Sequence, residues 1–157
     1  LLQLGGLASD QVDALERVDT ALCSGKALER FAHMVHSLGG PADLCDAPAR
    51  YLPVAPVQLE VRAPKAGFVT AMATRDLGLA VIELGGGRHK ATDTVEPSVG
   101  FANVVPVGQQ VEPGDTLAVV HAMNVAAAEA AQTRLLQCLT FGNVAPQPSE
   151  VLAQRVV

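Results

Sequence analysis

The sequence predicts an α+β fold in which an N-terminal helical segment precedes a mostly antiparallel β module with packed helices. Apolar residues recur at helical spacing through residues 9–38, whereas from Tyr51 onward they alternate in short runs separated by Gly and Pro turns. The 157 residues are 49% hydrophobic but include no tryptophan, one tyrosine and four phenylalanines, which indicates an aliphatic core. We expect two domains, residues 1–50 and 51–157.

The first domain is expected to hold two helices. Ser9-Asp10 predicts the N-cap of the first helix, and Gly25 separates it from a second helix over residues 26–38 that stops at Gly39-Gly40. A short helical turn is expected from Pro41 to Asp43. The predicted apolar stripes are Val12, Leu15, Val18, Ala21 and Leu22 on the first helix, and Leu28, Phe31, Ala32, Val35 and Leu38 on the second.

The second domain begins with strands. Alternating apolar residues at 57, 59 and 61 predict the first strand, and a turn at residues 65–67 leads into another that begins at Phe68. Residues 74–87 predict a short helix capped by Thr74 or Asp76 and ended by glycines. Two strands are expected within residues 99–122, joined through Gly108 and the turn at residues 113–115.

An alanine-rich helix is predicted to follow from Asn124, whose side chain suits an N-cap. Its inward residues are expected to be Ala130, Leu135, Leu136 and Leu139. A last edge strand is expected within residues 148–157.

Composition disfavours several classes of function. The net charge is −5 and the 11 Lys and Arg residues are not clustered, which argues against a nucleic-acid partner. No apolar run approaches the ~20 residues that span a membrane. Cys23, Cys45 and Cys138 are odd in number and widely spaced, so we expect buried, reduced thiols in a cytoplasmic protein. The chain begins without methionine or a signal-peptide pattern, and we expect it to be a fragment of a longer polypeptide.

A glycine run followed by three cationic residues is the main candidate for a binding site. Glycines bring backbone amides close to a ligand, and adjacent cations favour an anion such as phosphate. The alternative is a flexible end of a helix followed by a solvated basic loop, which the pattern alone favours. Thr92-Asp93-Thr94 predicts turn chemistry. The candidate residues are Gly85, Gly86, Gly87, Arg88, His89 and Lys90.

Three histidines are candidates for ligands or catalysts. His33 and His36 share a face of the second helix, but no third ligand is apparent, so a surface pair without function is expected and no metal site is predicted. His121 ends an apolar strand and is expected to be half-buried rather than catalytic.

The order of the motifs resembles the C-terminal part of the pyrimidine-nucleoside phosphorylase family. The resemblance covers nearly the whole chain. The segments that carry it are "SGKALERFAHMVHSLGGPADL", "YLPVAP", "AGFVTAMATRDLGLAVIELGGGRHKATDTVEPSVGF" and "GQQVEPGDTLAVVHA".

The resemblance implies an activity for the intact enzyme, in which inorganic phosphate as co-substrate attacks C1′ of thymidine without a cofactor. It also implies a homodimer whose large α/β domain includes residues 1–50. The family's Lys-His-Ser-Thr-Gly-Gly phosphate loop is absent from this sequence, so no catalytic residue is assigned and the fragment alone is expected to be inactive. The loop with Arg88, His89 and Lys90 resembles a gating element at the mouth of the substrate cleft.

The family also implies a hammerhead-like module with hairpins related to those of biotinyl and lipoyl carriers, "APKAGFV" and "VEPGDTLAVVHAMN". A carrier or binding module is therefore the alternative function. A carrier needs a lysine where this chain has Asn124, and it has no use for the helix and glycine-rich loop between its hairpins. A non-enzymatic interaction domain is a third alternative, but no exposed apolar or aromatic patch is evident in the sequence.

Overall fold

The computed structural model of the chain describes residues 1–147, and the strand expected within residues 148–157 lies outside the described residues. The chain forms two units, Leu1–Leu52 and Pro53–Val157. No helix of residues 1–147 combines the length and the hydropathy needed to cross a bilayer.

The first unit contains the two expected helices, α1 (Gln11–Cys23) and α2 (Lys26–Ser37). Asp10 caps α1, because its carboxylate accepts a hydrogen bond from the amide of Asp13 at 2.9 Å. Gly25 takes a left-handed φ of 80° between the helices, a conformation that glycine adopts without strain. Most large apolar residues of the two helices are exposed, Val35 is partly buried, and no side chain of either helix is fully buried.

The short turn expected at Pro41 to Asp43 is present, since the amide of Leu44 donates to the carbonyl of Pro41, but it does not lead into a helix. The chain forms turns there, followed by a single 3₁₀ turn at Pro48–Arg50. One helical hydrogen bond does form, from the amide of Ala47 to the carbonyl of Asp43. It is not continued because Pro48, the next residue, has no N–H to donate.

Within residues 53–147, the second unit contains two three-stranded sheets, and every strand pair in them is antiparallel, as expected. Three strands lie in the region where two were predicted, because a short strand forms on each side of Gly108. The first sheet has the order β1 (Val57–Arg62), β5 (Thr116–Ala122), β3 (Gly100–Ala102), and the second has the order β4 (Gln110–Val111), β2 (Gly67–Met72), β6 (Leu139–Gly142).

The two segments expected to be hairpins connect the sheets instead. Strands β1 and β2 follow each other in sequence but lie in different sheets, and so do β4 and β5. The two connecting turns bind each other: the amide of Ala63 donates to the carbonyl of Asp115 at 2.8 Å, and the amide of Gly114 donates to the carbonyl of Ala63 at 2.9 Å. Arg62 adds a hydrogen bond to the carbonyl of Gly114. The relation to biotinyl and lipoyl carriers stays a prediction.

Two helices pack with the sheets. Helix α3 spans Thr74–Val81 and α4 spans Val125–Cys138. The cap predicted for α3 is wrong. Thr74 is already the first helical residue, and the N-cap position is Ala73, where no side chain accepts a hydrogen bond from the first turn. The amide of Ala73 instead donates to the carbonyl of Cys138, so the start of α3 is fixed by backbone pairing beside β2 and β6.

The core is aliphatic, as composition predicts, and α4 supplies one face of it. The expected inward set was partly wrong: Ala130 is exposed, and Leu139 is buried in β6 rather than in the helix. The buried side chains of α4 follow helical spacing and are Ala128, Ala131, Leu135 and Cys138. The largest fully buried side chains of the unit are Leu117, Leu135, Val61, Val69 and Val120.

Candidate functional site

The candidate loop begins where α3 ends, in a π-helical turn at Ile82–Gly86. Gly85 leaves this turn with a left-handed φ of 98°, which side chains rarely adopt. A Cβ on Gly87 would lie 2.6 Å from Cγ1 of Ile82, so this position has no room for a side chain. The packing of the loop against the end of α3 therefore accounts for glycine at both positions.

A backbone hydrogen bond closes the base of the loop. The amide of Glu96 donates to the carbonyl of Gly85 at 2.9 Å. The Glu96 carboxylate accepts two further hydrogen bonds, from the hydroxyl of Ser98 at 2.6 Å and from its amide at 3.1 Å. These bonds favour the charged form, the hydroxyl more than the amide, and lower the pKa of Glu96 below its ordinary value.

The tip of the loop is organised by Asp93. Its Oδ2 accepts hydrogen bonds from the amides of His89, at 3.0 Å, and Lys90, at 2.9 Å, and its own amide donates to the carbonyl of Lys90. The predicted turn role of Asp93 is therefore confirmed. The Asp93 carboxylate is bonded to the amides of His89 and Lys90. It thus occupies the position that an anion bound to these two amides would need.

The cationic side chains of the loop face solvent. Arg88, His89 and Lys90 are all exposed, and none of them joins an ion pair among the residues that the structure describes. The loop therefore places the positive charges of Arg88 and Lys90 at the surface, beside the Asp93 carboxylate, on a protein whose net charge is negative. Such an arrangement attracts anions over a distance of about a Debye length, ~8 Å at physiological ionic strength.

Contacts with the start and the middle of α4 were not foreseen from the sequence. The hydroxyl of Ser98 lies 3.8 Å from the sulfur of Met123, just before α4, and Arg134 pairs with Glu83 in the π-helical turn at 3.4 Å. These contacts connect both ends of the loop to α4. Nothing in the local spacing of these residues signals them, because the partners are 25 and 51 positions apart.

The other candidate residues lie apart from the loop in sequence and form no common centre. His33 and His36 are exposed on α2, and no group of three potential metal ligands occurs within residues 1–147. His121 is partly buried in β5, as expected. Of the three free thiols only that of Cys138 is buried, so the expectation of buried cysteines is wrong for Cys23, which is exposed. Burial raises the pKa of the Cys138 thiol, and the nearby Asp76 carboxylate acts in the same direction.

Asn124 has the structural role that its side chain suggested. Its backbone is extended, and its side-chain oxygen accepts a hydrogen bond from the amide of Ala127 at 2.9 Å, which caps α4. The prediction of an N-cap is confirmed. No lysine stands at the position where the alternative carrier function requires one.

Comparison with known proteins identifies the family. Residues 68–142 match the family model of the pyrimidine nucleoside phosphorylase C-terminal domain. Over all 157 residues the chain is 45% identical to a protein named thymidine phosphorylase from Mesorhizobium japonicum. Proteins of the same name are 46% identical over 136 residues in Agrobacterium fabrum, or 87% of the chain, and 47% identical over 156 residues in Burkholderia cenocepacia, or 99% of the chain.

The chain is shorter than these relatives. It spans 36% of the Mesorhizobium protein, 31% of the Agrobacterium protein and 35% of the Burkholderia protein. The matched domain includes the candidate loop, both sheets except β1, and helices α3 and α4. By the match to its C-terminal domain and by identity along the whole chain, the protein belongs to the pyrimidine nucleoside phosphorylase family.

Proposed function

We propose that this chain is the C-terminal part of a thymidine phosphorylase, which converts thymidine and phosphate reversibly into thymine and 2-deoxyribose 1-phosphate. A phosphate oxygen forms a bond to C1′ while the bond between C1′ and the pyrimidine nitrogen breaks, and the base leaves as an anion that takes up a proton. The observation that carries the proposal is 45% identity along all 157 residues to a protein of that name.

The intact enzyme uses inorganic phosphate as its co-substrate, needs no cofactor, acts in the cytoplasm and is a homodimer in this proposal. Residues 1–50 belong to its large α/β domain. The exposed apolar stripes of α1 and α2 support this assignment, since Leu15 and Leu22 are 61% and 64% exposed and helices of this kind normally bury such side chains.

The chain supports the cleft and does not supply the reacting groups. Its sequence lacks the family's Lys-His-Ser-Thr-Gly-Gly phosphate loop, so the chain alone is inactive in this proposal. The chain contributes the loop that carries Arg88, His89 and Lys90, here called the cationic loop, which closes over or gates the substrate cleft. The exposure of Arg88, His89 and Lys90 and the glycines at the base of the loop support a role of this kind.

The proposal is tested by a chimera. This chain replaces the matching segment of the Mesorhizobium thymidine phosphorylase, and release of thymine from thymidine is followed with and without phosphate. We expect phosphate-dependent cleavage by the chimera and none by the 157-residue chain alone. Circular dichroism and a thermal melt establish that each protein is folded.

A folded chimera that does not cleave thymidine would contradict the proposed activity. Cleavage by the chain alone would contradict the proposed division of labour. As a control, the chimera with Leu117→Asp places a charge at a fully buried position and should lose its fold and activity together.

Replacing Arg88, His89 and Lys90 together with alanine in the chimera tests the role of the loop. We expect kcat/KM to fall by about tenfold or more, because the positive charge at the cleft is lost. The thermal midpoint should stay nearly unchanged, since the three side chains are exposed. Unaltered kinetics would show that the loop is a passive connector.

A further inference from the structure

One residue, Asp93, takes part in the hydrogen bonds that order the cationic loop, residues 88–95. Within the described residues, each hydrogen bond found for residues 88–95 involves Asp93: two are accepted by its carboxylate and one is donated by its amide. The neighbouring residues 88–92 are all exposed and bury no side chain that could order the loop by packing.

The carboxylate of Asp93 fixes the backbone from which the cations project. The two amides that it accepts from are those of His89 and Lys90, next to Arg88 in the sequence. An exposed segment without such bonds samples many conformations, and ordering it when a ligand binds costs conformational entropy. A loop that is already ordered avoids most of that cost when it engages a ligand.

We propose that Asp93 is a positioning residue, which holds Arg88, His89 and Lys90 in the orientation that engages the phosphate co-substrate. The inference rests on the proposed function. Asp93 acts through its oxygen atom as an acceptor of two amide hydrogen bonds, and its negative charge is not required.

Two substitutions separate the acceptor from the charge. Asp93→Asn keeps a side-chain oxygen with two lone pairs in nearly the same place and removes the charge. Asp93→Ala removes both. A role in positioning predicts that asparagine rescues the loop, whereas a role of the charge predicts that asparagine behaves like alanine.

The matched control is Asp115→Ala. The carboxylate of Asp115 also accepts a hydrogen bond from a turn amide, that of Glu112 at 2.8 Å, but its turn carries no Arg, His or Lys. If loss of an aspartate from an exposed turn destabilised the whole second unit, cleavage after Arg88 and Lys90 would become faster in this variant too.

The first measurement is trypsin cleavage after Arg88 and Lys90 in the full 157-residue chain, with the products identified by mass spectrometry. We expect cleavage to be roughly tenfold faster in Asp93→Ala, because the loop opens locally, and close to the unsubstituted rate in Asp93→Asn and Asp115→Ala. Equal rates in all four proteins would overturn the inference, and so would an Asp93→Asn that is cleaved as fast as Asp93→Ala.

The second measurement uses the chimera. The KM for phosphate should rise about tenfold in Asp93→Ala with kcat little changed, as expected when an interaction made equally in ground and transition states is weakened. Asparagine should restore most of the affinity. If Asp93→Ala is cleaved faster but its KM for phosphate is unchanged, the positioning role is overturned while thymidine cleavage still supports the proposed function. A chimera that is folded but inactive would contradict both the proposed function and the role of Asp93 in binding phosphate. The trypsin experiment would then test only whether Asp93 orders the loop.

Discussion

Asn124 shows how one residue can suggest a lost function and perform a structural one. It stands after Ala122-Met123, where a biotin carrier would have its lysine, yet its side chain is bonded to the first turn of α4. Removing this cap leaves the amide of Ala127 without its partner. Asn124→Ala should therefore lower the free energy of unfolding by about 1 kcal/mol, whereas Asn124→Asp should retain most of it. Urea denaturation of both variants tests this, and equal stability of the alanine variant and the unsubstituted chain would contradict the role.

The Glu96–Ser98 pair predicts a dependence on pH at the base of the loop. The Ser98 hydroxyl is the main cause of the lowered pKa of Glu96. Because the pKa is lower in the folded state, the stabilising contribution is present above the ordinary value of 4.5 and is lost as the pH falls through the folded-state pKa. Ser98→Ala should raise the pKa of Glu96 toward its ordinary value. An NMR titration of the Glu96 carboxyl measures it, and an unchanged pKa would show that the hydroxyl does not stabilise the charged form.

At the scale of elements, α3 and the turn that ends it carry two glycines with opposite requirements. Gly85 has a φ of 98°, whereas Gly78 lies within α3 and has no neighbouring atom within 4 Å of the place where a methyl group would stand. Gly85→Ala should destabilise the second unit by about 1–2 kcal/mol through backbone strain. Gly78→Ala should stabilise it by about 0.5–1 kcal/mol, since alanine favours a helix interior. Thermal melts of the two variants give the comparison, and a shift of the same sign in both would contradict this account.

Local signals predicted the elements whose causes are local. Asp10 and Asn124 are side-chain caps that bond three residues ahead, and the alternation at Val57, Leu59 and Val61 forms β1. The end of α4 shows the opposite case. Residues 135–141 are mostly apolar and contain no Gly or Pro to mark a break, and pairing with β2 divides them into the last helical turn and β6. The partner strand lies far away in sequence, so no local pattern marks the boundary.

The same distinction applies to the candidate loop. The glycines and cations were visible in the sequence, and so was a turn at Asp93. That the Asp93 carboxylate holds the two amides beside the cations could not be read from spacing, because it depends on the path of the loop after Gly85. Whether the loop contacts substrate stays a prediction.

At the scale of the whole molecule, the two units differ in what they bury. All buried apolar residues described lie at Ala55 or beyond, whereas no side chain of α1 or α2 is buried. Residues 53–157 should therefore fold without the first unit, with one cooperative urea transition. Residues 1–52 alone should have little stable helix, since helices of 12 and 13 residues are marginal in water without packing. Circular dichroism of the two fragments tests this, and a second unit that unfolds without cooperativity would contradict it.

The pairing of β1 with the distant strand β5 has a consequence for how the chain folds. At one end of the β1–β5 ladder Arg62 pairs with Thr116, 54 positions later, so the first strand has no partner until most of the second unit exists. Loops of that length close slowly, and folding rates fall as contacts become less local. On the ribosome, which adds about 5–20 residues per second, β1 would wait several seconds for β5 to be synthesised. The polar residues of β1, which alternate with its apolar ones, then have a second role. A charged and polar strand is less prone to associate with the wrong partner while the chain is being synthesised, and these residues are Gln58, Glu60 and Arg62.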